Sequence, residues 1–290
     1  MIDLHTHSNA SDGDLSPALL IQKAVSQGLH AIALTDHDTT DGLEIARNEA
    51  EKEKIRLIPG IEINIAWNKE RSPEIPEIGA HGEFHLLGLG ISPSPAFAAA
   101  IRELSRLRVE RNREILRKMQ EMGINVVWED IQALSGGHSI GRLHFSNLLI
   151  KRKIVKNHEQ AFALYLGAGK PLYVPKEGLK FEEAAALIRE SGGIPVLAHP
   201  GSLFLSWSRL PDLIKALKER GLAGIEAWHP AAQTGYCKRL AELGKTLGLC
   251  ITEGSDFHGS VRPERRLGYS HKNRKIDDSV LEAIPELCAT

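Results

Sequence analysis

Histidines and carboxylates recur in short groups along the chain. His5 and His7 form a His-x-His pair, Asp36-His37-Asp38 comes next, and Glu62 stands in Pro-Gly-Ile-Glu. His85 opens a later apolar run, His199 ends Ile-Pro-Val-Leu-Ala-His, and Asp256 and His258 share Gly-Ser-Asp-Phe-His-Gly. Imidazole nitrogen with carboxylate oxygen, and no thiolate, is a donor set for Zn, Mn or Fe. There are more donors than one tetrahedral ion can use, so two or three divalent ions are expected, about 3.5–4 Å apart and bridged by a carboxylate. Such ions lower the pKa of a bridging water and neutralise phosphate oxygens, so the expected reaction is attack of a metal-bound hydroxide on phosphorus. Packed without cations, the same groups would repel and desolvate one another.

These residues need a scaffold that brings distant segments together. Short apolar runs alternate with amphipathic segments, a pattern of parallel strands joined by crossover helices. Strands are predicted at Ile2 to His5, His30 to Thr35, Leu57 to Ile65, Phe84 to Ile91, Ile194 to Ala198, Gly224 to Ala227 and Leu249 to Thr252. Ser16-Pro17 supplies an N-cap and a first-turn proline for a helix that Gly28 can end, and Asp41 is expected to cap a second helix running to about Glu53. Most of the donors fall at the carboxyl ends of these strands, the face of a parallel barrel where catalytic groups gather. One strand-end histidine alone is more often a core or capping residue, so the weight lies on six strand ends carrying His, Asp or Glu. His81, four residues before His85, is an alternative donor; His85 is preferred because it enters an apolar strand.

With 290 residues, 42% of them hydrophobic, the chain can bury one large α/β domain, or one with an insertion. The charge is uneven. From Ile101 to Lys176 there are 14 Lys and Arg against 7 Asp and Glu, a local excess of +7 in a chain whose net charge is −1. That stretch is mainly helical and breaks the βα rhythm. Residues 99–175 are therefore read as a basic helical insertion between barrel segments 1–98 and 176–290. Its first helix carries Arg102, Arg106, Arg108, Arg111, Arg113 and Arg117, several at helical spacing. Cys237, Cys250 and Cys288 show neither zinc-site nor disulfide spacing. No run approaches the roughly 20 apolar residues of a membrane span, and no basic segment leads into an apolar one, so a cytoplasmic protein without membrane partners is expected.

Four segments resemble the motifs of the polymerase and histidinol phosphatase (PHP) superfamily: His5-Thr-His7-Ser-Asn-Ala-Ser-Asp12-Gly, Thr35-Asp-His37-Asp, Ala198-His199-Pro and Ser255-Asp256-Phe-His258. The resemblance implies a distorted (β/α)7 TIM-like barrel with a mainly helical insertion and a trinuclear metal site. It assigns His5, His7, Glu62 and Asp256 to one ion, Asp12, His37 and His258 to a second, and Glu62, His85 and His199 to a third. Ile140-Gly-Arg142-Leu-His144-Phe and Tyr173-Val-Pro-Lys176 are similar to markers of one branch. That branch comprises nucleoside 3′,5′-bisphosphate phosphatases and 5′–3′ exoribonucleases acting on short 5′-phosphorylated RNA. The implied partner is a small nucleotide or short 5′-phosphorylated oligonucleotide. Arg142 offers a planar fork for two phosphate oxygens and His144 a further donor; Lys176 and His229 are further candidates for phosphate binding.

Two other readings compete. A histidinol-phosphate phosphatase would use the same ions, but a small monophosphate needs no second, basic anion site. A catalytically inactive nucleic-acid-binding module would need no intact ligand set, and its affinity would fall steeply with salt.

Overall fold

Seven short strands form the frame in the computed structural model, which describes residues 1–66, 83–135, 140–175 and 178–288. They are β1 (Ile2–Asp3), β2 (Ala31–Leu34), β3 (Arg56–Asn64), β4 (His85–Leu89), β5 (Ile194–Leu197), β6 (Gly224–Trp228) and β7 (Cys250–Glu253), hydrogen-bonded in sequence order. Beyond the strand ends, Thr6 pairs with Phe257, and the His7 N–H donates to the Phe257 carbonyl at 2.9 Å. The sheet is thereby nearly closed into a seven-stranded barrel, the α/β architecture expected from the sequence.

One strand departs from the expectation of parallel strands. β4 runs antiparallel to both β3 and β5, whereas the other neighbouring pairs are parallel. A parallel neighbour needs a crossover, usually a helix, and the sequence between β3 and β4 is polar and proline-bearing with no helical pattern. The reversal decides where His85 stands. It is the first residue of β4 and pairs with Asn64, the last residue of β3, so it lies at the same end of the barrel as the carboxyl ends of the parallel strands.

Period-two alternation then builds the interior. On one face of β3 come Ile58, Gly60 and Glu62, and on β4 come Leu89, Leu87 and His85. Ile58, Leu87 and Leu89 join Ile2, Leu4, Ala31, Ala33, Val196 and Ala198 in one buried apolar cluster. The interior is thus apolar at one end and carries Glu62 and His85 at the other.

Helices α1 (Pro17–Ser26) and α2 (Leu43–Glu53) pack against each other, α7 (Phe181–Glu190) covers β4 and β5, and α9 (Thr234–Thr246) covers β6 and β7. The Ser16 side chain caps α1 by accepting from the Leu19 N–H, Pro17 starts the helix, and Gly28 follows it at φ 76°, as the sequence predicts. The expected cap of α2 is corrected: Gly42, not Asp41, holds that position, and the Asp41 N–H donates to the Thr39 hydroxyl two residues earlier. On α8 (Leu210–Glu219), Leu210, Leu213, Ile214 and Leu217 are spaced along one helical face and all are buried.

The chain divides into two units, Met1–Ile101 with Leu179–Thr290, and Arg102–Gly178. The second unit contains most of α3 (Pro95–Glu121) together with α4 (Trp128–Ser135), α5 (Arg142–Lys151) and α6 (His158–Ala161). It has its own core around Ile115, Met119, Ile131, Phe145 and Leu149. Two of the arginines in the expected basic face pair within the helix: Arg106 with Glu103 and Glu110, and Arg117 with Glu114 and Glu121. No helix among the described residues is long and apolar enough to cross a membrane.

Candidate metal centre

Glu62 is the hub. Its carboxylate is fully buried, with Oε1 2.9 Å from His85 Nδ1 and 2.8 Å from His199 Nε2. Oε2 lies 3.2 Å from both His5 Nε2 and His7 Nε2, and 3.1 Å from His37 Nδ1. Five imidazoles from four different segments therefore face one carboxylate. Asp256 Oδ1 completes a group with His5 and His7, at 3.5 Å and 3.2 Å from their Nε2 atoms. On the other side, Asp12 stands 3.3 Å from His258 Nε2 and 4.0 Å from His37 Nε2.

Three sets of donors lie close enough for their ligand atoms to share an ion: His5, His7, Glu62 and Asp256; His7, Asp12, His37 and His258; and His37, Glu62 and His85. The nine residues expected from the motifs all fall in this region. The groupings differ from the expectation in that His7 and His37 each stand in two sets. His199 meets the site through Glu62. His81, the alternative to His85, lies outside the described residues.

A second layer orients the donors. Asp36 accepts from the Ser8 N–H (2.8 Å), the Ser8 hydroxyl (2.7 Å) and the Ser11 hydroxyl (2.6 Å), and so ties the second motif to the first. Asp38, at φ 50°, accepts from the backbone and side chain of Asn64 on β3. Between these two anchors His37 has little freedom. His258 Nδ1 donates to the Asp256 carbonyl at 2.8 Å, which turns Nε2 toward Asp12. Arg265 donates to the Asp256 carbonyl and pairs with Asp256 Oδ2. Glu226 on β6 meets His5 Nδ1 at 3.0 Å.

The sequence reading did not single out Glu226 or Arg265. Glu226 carries a signal, an acidic residue inside the apolar run of a buried strand, where a charge needs partners. Arg265 stands in a polar loop and carries none.

The PHP domain family matches residues 3–168, over half of the chain. This chain belongs to the PHP domain family. Relatives extend the likeness through the remaining motifs. A 3′,5′-nucleoside bisphosphate phosphatase from Chromobacterium violaceum is 31% identical over 271 residues, 93% of this chain and 91% of the relative. A 5′–3′ exoribonuclease from Haemophilus influenzae is 34% identical over 257 residues, 88% of this chain and 89% of the relative. The crystal structure of a metal-dependent phosphoesterase described from Bifidobacterium adolescentis superposes with a TM-score of 0.80 at 27% identity, covering 98% of this chain and 96% of that one. This PHP protein is a metal-dependent phosphoesterase.

The electrostatics of the PHP site fit cations. Glu62 Oε2 and His37 Nδ1 are buried without a hydrogen-bond partner although 3.1 Å apart, so two electron-rich atoms face one another. A buried polar atom left so costs about 1–3 kcal/mol, and more when charged. Without cations, protons serve instead on part of the cluster. Burial works to lower the pKa of His7, but Asp256 first, and the charge of Glu62 with it, overcome that and push it up to about 10. The same contest, with Glu226, Glu62 and Asp256 opposing burial, raises His5 well above its ordinary value. At His37 burial wins, and its pKa falls to about 3. Glu62 and Asp256 are held well below the usual carboxylate range despite burial, Glu62 first by His37 and His5, Asp256 first by His5 and Arg265. A set of buried anionic carboxylates facing imidazole lone pairs is the donor chemistry that divalent ions satisfy.

The phosphate-binding candidates have different surroundings. His229 is buried beside the cluster with both ring nitrogens engaged: Nδ1 accepts from the Ala231 N–H, and Nε2 donates to Asp256 Oδ2 at 3.1 Å. A phosphate contact there would displace its bond to Asp256. In the second unit, Arg142 is the first residue of α5, its guanidinium 5.5 Å from the centre of the Phe162 ring. His144 Nδ1 accepts from the Gly141 N–H at 3.0 Å, so the neutral ring carries its proton on Nε2. Lys176 lies outside the described residues.

Proposed function

We propose that this PHP protein hydrolyses phosphate esters of nucleotides, with nucleoside 3′,5′-bisphosphates and short 5′-phosphorylated RNA as its substrates. The observation that carries the reading is the convergence of nine donor side chains, Glu62 at their hub, in a chain aligned nearly end to end with relatives of those two activities. His5, His7, Glu62 and Asp256 would hold one divalent ion, Asp12, His37 and His258 a second, and Glu62, His85 and His199 a third, with Mn, Fe and Zn all suited to the donors. When bound, such ions supply a nucleophilic oxygen near neutral pH and neutralise charge on the phosphoryl group.

The chain itself contributes orientation. Asp36 and Asp38 fix His37, Arg265 fixes Asp256, and Ser202, whose hydroxyl donates to the Glu83 carbonyl, accepts from His199 Nδ1 at 2.9 Å, so that His199 Nε2 faces Glu62. Arg142 and His144, on one turn of α5, are suited to hold a second phosphate, the guanidinium through paired N–H groups and the imidazole through Nε2–H. Lys176 and His229 are further candidates for phosphate binding, and the basic residues 99–175 are assigned to substrate recognition. The protein is placed in the cytoplasm, where nucleotides and RNA fragments are available.

The test is an assay of purified, Mn²⁺-loaded protein on adenosine 3′,5′-bisphosphate, AMP, histidinol phosphate and a short 5′-phosphorylated RNA. Turnover is expected on the bisphosphate and the RNA. Inactivity on all four, or a preference for histidinol phosphate, overturns the reading.

A further inference from the structure

Glu226 is a buried carboxylate that no sequence motif singled out, and its two oxygens do different work. It lies within β6 and is 1% exposed. Oε1 is 3.0 Å from His5 Nδ1, and Oε2 accepts from the backbone N–H of His199 at 2.8 Å. His5 Nε2, at the far side of the ring, lies 3.2 Å from Glu62 Oε2 and 3.5 Å from Asp256 Oδ1. His199 sits at φ 25° and ψ 67°, a left-handed conformation that a residue with a side chain adopts only when its surroundings hold it there.

We infer that Glu226 is a positioning residue, which holds His5 with its proton on Nδ1 and its Nε2 lone pair toward the cation site, and which pins the turn that presents His199. An ionised carboxylate only accepts hydrogen bonds, so a neutral His5 facing it must carry its proton on Nδ1. That leaves Nε2 as the ligand atom, more basic for the anion behind the ring. Two donors converge on Glu226, and only a residue with two acceptor oxygens satisfies both. Glutamine, of the same shape, would meet either the imidazole or the amide with its own NH₂.

The strand next door leaves room for this arrangement. A β-carbon on Gly254, which follows β7, would stand 2.3 Å from His5 Cβ and 2.6 Å from Glu226 Oε1. The contact between the ring and the carboxylate therefore depends on a residue without a side chain at that position.

The inference rests on the cation-binding reading of the site, and the experiment separates the two. Wild type and Glu226→Gln are titrated with Mn²⁺ by calorimetry, bound metal is counted by elemental analysis, and the cation-free forms are compared by thermal melting. If wild type binds no divalent ion, the metal reading falls, and this inference with it. If wild type binds ions, Glu226→Gln is expected to bind at least one of them about 10–100-fold more weakly, as loss of a ligand's outer partner does. Its cation-free form, in which one of the two donors has lost its acceptor, is expected to melt somewhat lower but still cooperatively, so that the weaker binding is read on a folded protein. Unchanged affinity and metal count in Glu226→Gln overturn the inference.

A second measurement uses the wild type alone and decides the matter if the variant fails to fold. Nitrogen-15 NMR of the Zn²⁺-loaded protein, with the His5 signal assigned by its loss in His5→Gln, is expected to show a proton on Nδ1. A proton on Nε2 overturns the inference.

Discussion

Replacing Glu62 with glutamine keeps the shape of the hub and removes its charge, so it tests whether the cluster is organised for cations. In the wild type, Oε1 faces two imidazole nitrogens at 2.8 and 2.9 Å and Oε2 faces three at 3.1–3.2 Å, all in a fully buried setting. Glutamine turns one of these oxygens into a donor aimed at nitrogen lone pairs and leaves any cation there without an anionic neighbour. Removing one partner of a buried charge pair costs about 3–5 kcal/mol. At about 1.4 kcal/mol per tenfold change, that is a loss of cation affinity of roughly two to three and a half orders of magnitude. The penalty belongs to the loaded state, because the cation-free cluster can relieve itself by shedding protons from its imidazoles. Calorimetric titration with Mn²⁺, paired with thermal melting of the cation-free proteins, separates these states. The reasoning is refuted if Glu62→Gln binds Mn²⁺ within threefold of wild type, or if it destabilises the cation-free protein by the full amount while leaving affinity untouched.

Three further outcomes are expected. Gly254→Ala forces a methyl group against His5 and Glu226, so the packing cost of about 1–3 kcal/mol should be accompanied by weaker Mn²⁺ binding; normal binding in a destabilised variant would show that the close approach serves packing alone. Phe145→Ala empties the centre of the second unit's core, where the ring is fully buried, and should cost about 3–5 kcal/mol in chemical denaturation of that unit while Mn²⁺ stoichiometry is unchanged. Desolvation pushes the half-buried Cys250 thiol up to about 12, so at pH 8 only about one molecule in ten thousand carries the thiolate; peptide mapping after iodoacetamide treatment of native protein should find Cys250 unmodified, and rapid labelling would contradict that shift.

Most of the donors were legible from the sequence because they stand at or near the end of an apolar run, and a barrel collects such ends on one face; Asp12, in a polar loop, came only with the family motif. The pattern could place His85 in the cluster without stating the direction of its strand. The reversal of β4 was available only indirectly, in the missing helical pattern before it. Caps were legible when the side chain and the backbone agreed, as at Ser16-Pro17. At Asp41 the acidic residue next to Gly42 carried the stronger compositional signal, but the backbone placed the boundary one residue later. Least legible was the second layer. Glu226 and Arg265 are defined by what they touch across the barrel, and contacts such as Glu226 with His5 span 221 residues of sequence. The arginines of α3 show the converse: their spacing suggested one basic face, yet Arg106 and Arg117 each have glutamates three and four residues away and pair with them.

The same alternation that builds the apolar interior also delivers the site, and this couples stability to chemistry. On β3 the inward positions run Ile58, Gly60, Glu62, and on β4 they run Leu89, Leu87, His85, with Glu62 paired to Leu87 and Asn64 to His85. A one-residue slip in either strand would turn its apolar side chains out of the core and its donor out of the site at once. The apolar end therefore fixes the register that the polar end requires. Gly60 permits it on β3, since a β-carbon there would lie 2.8 Å from the Thr35 methyl and 3.0 Å from the Gly88 carbonyl. Thr35 in turn accepts from the Thr6 N–H at 3.1 Å, between His5 and His7. Packing at Gly60 is thus transmitted to the first pair of donors through one threonine. Glu62 and His85 are thus held by core contacts, while His37 and Asp256 also lean on Asp36, Asp38 and Arg265 outside the strands.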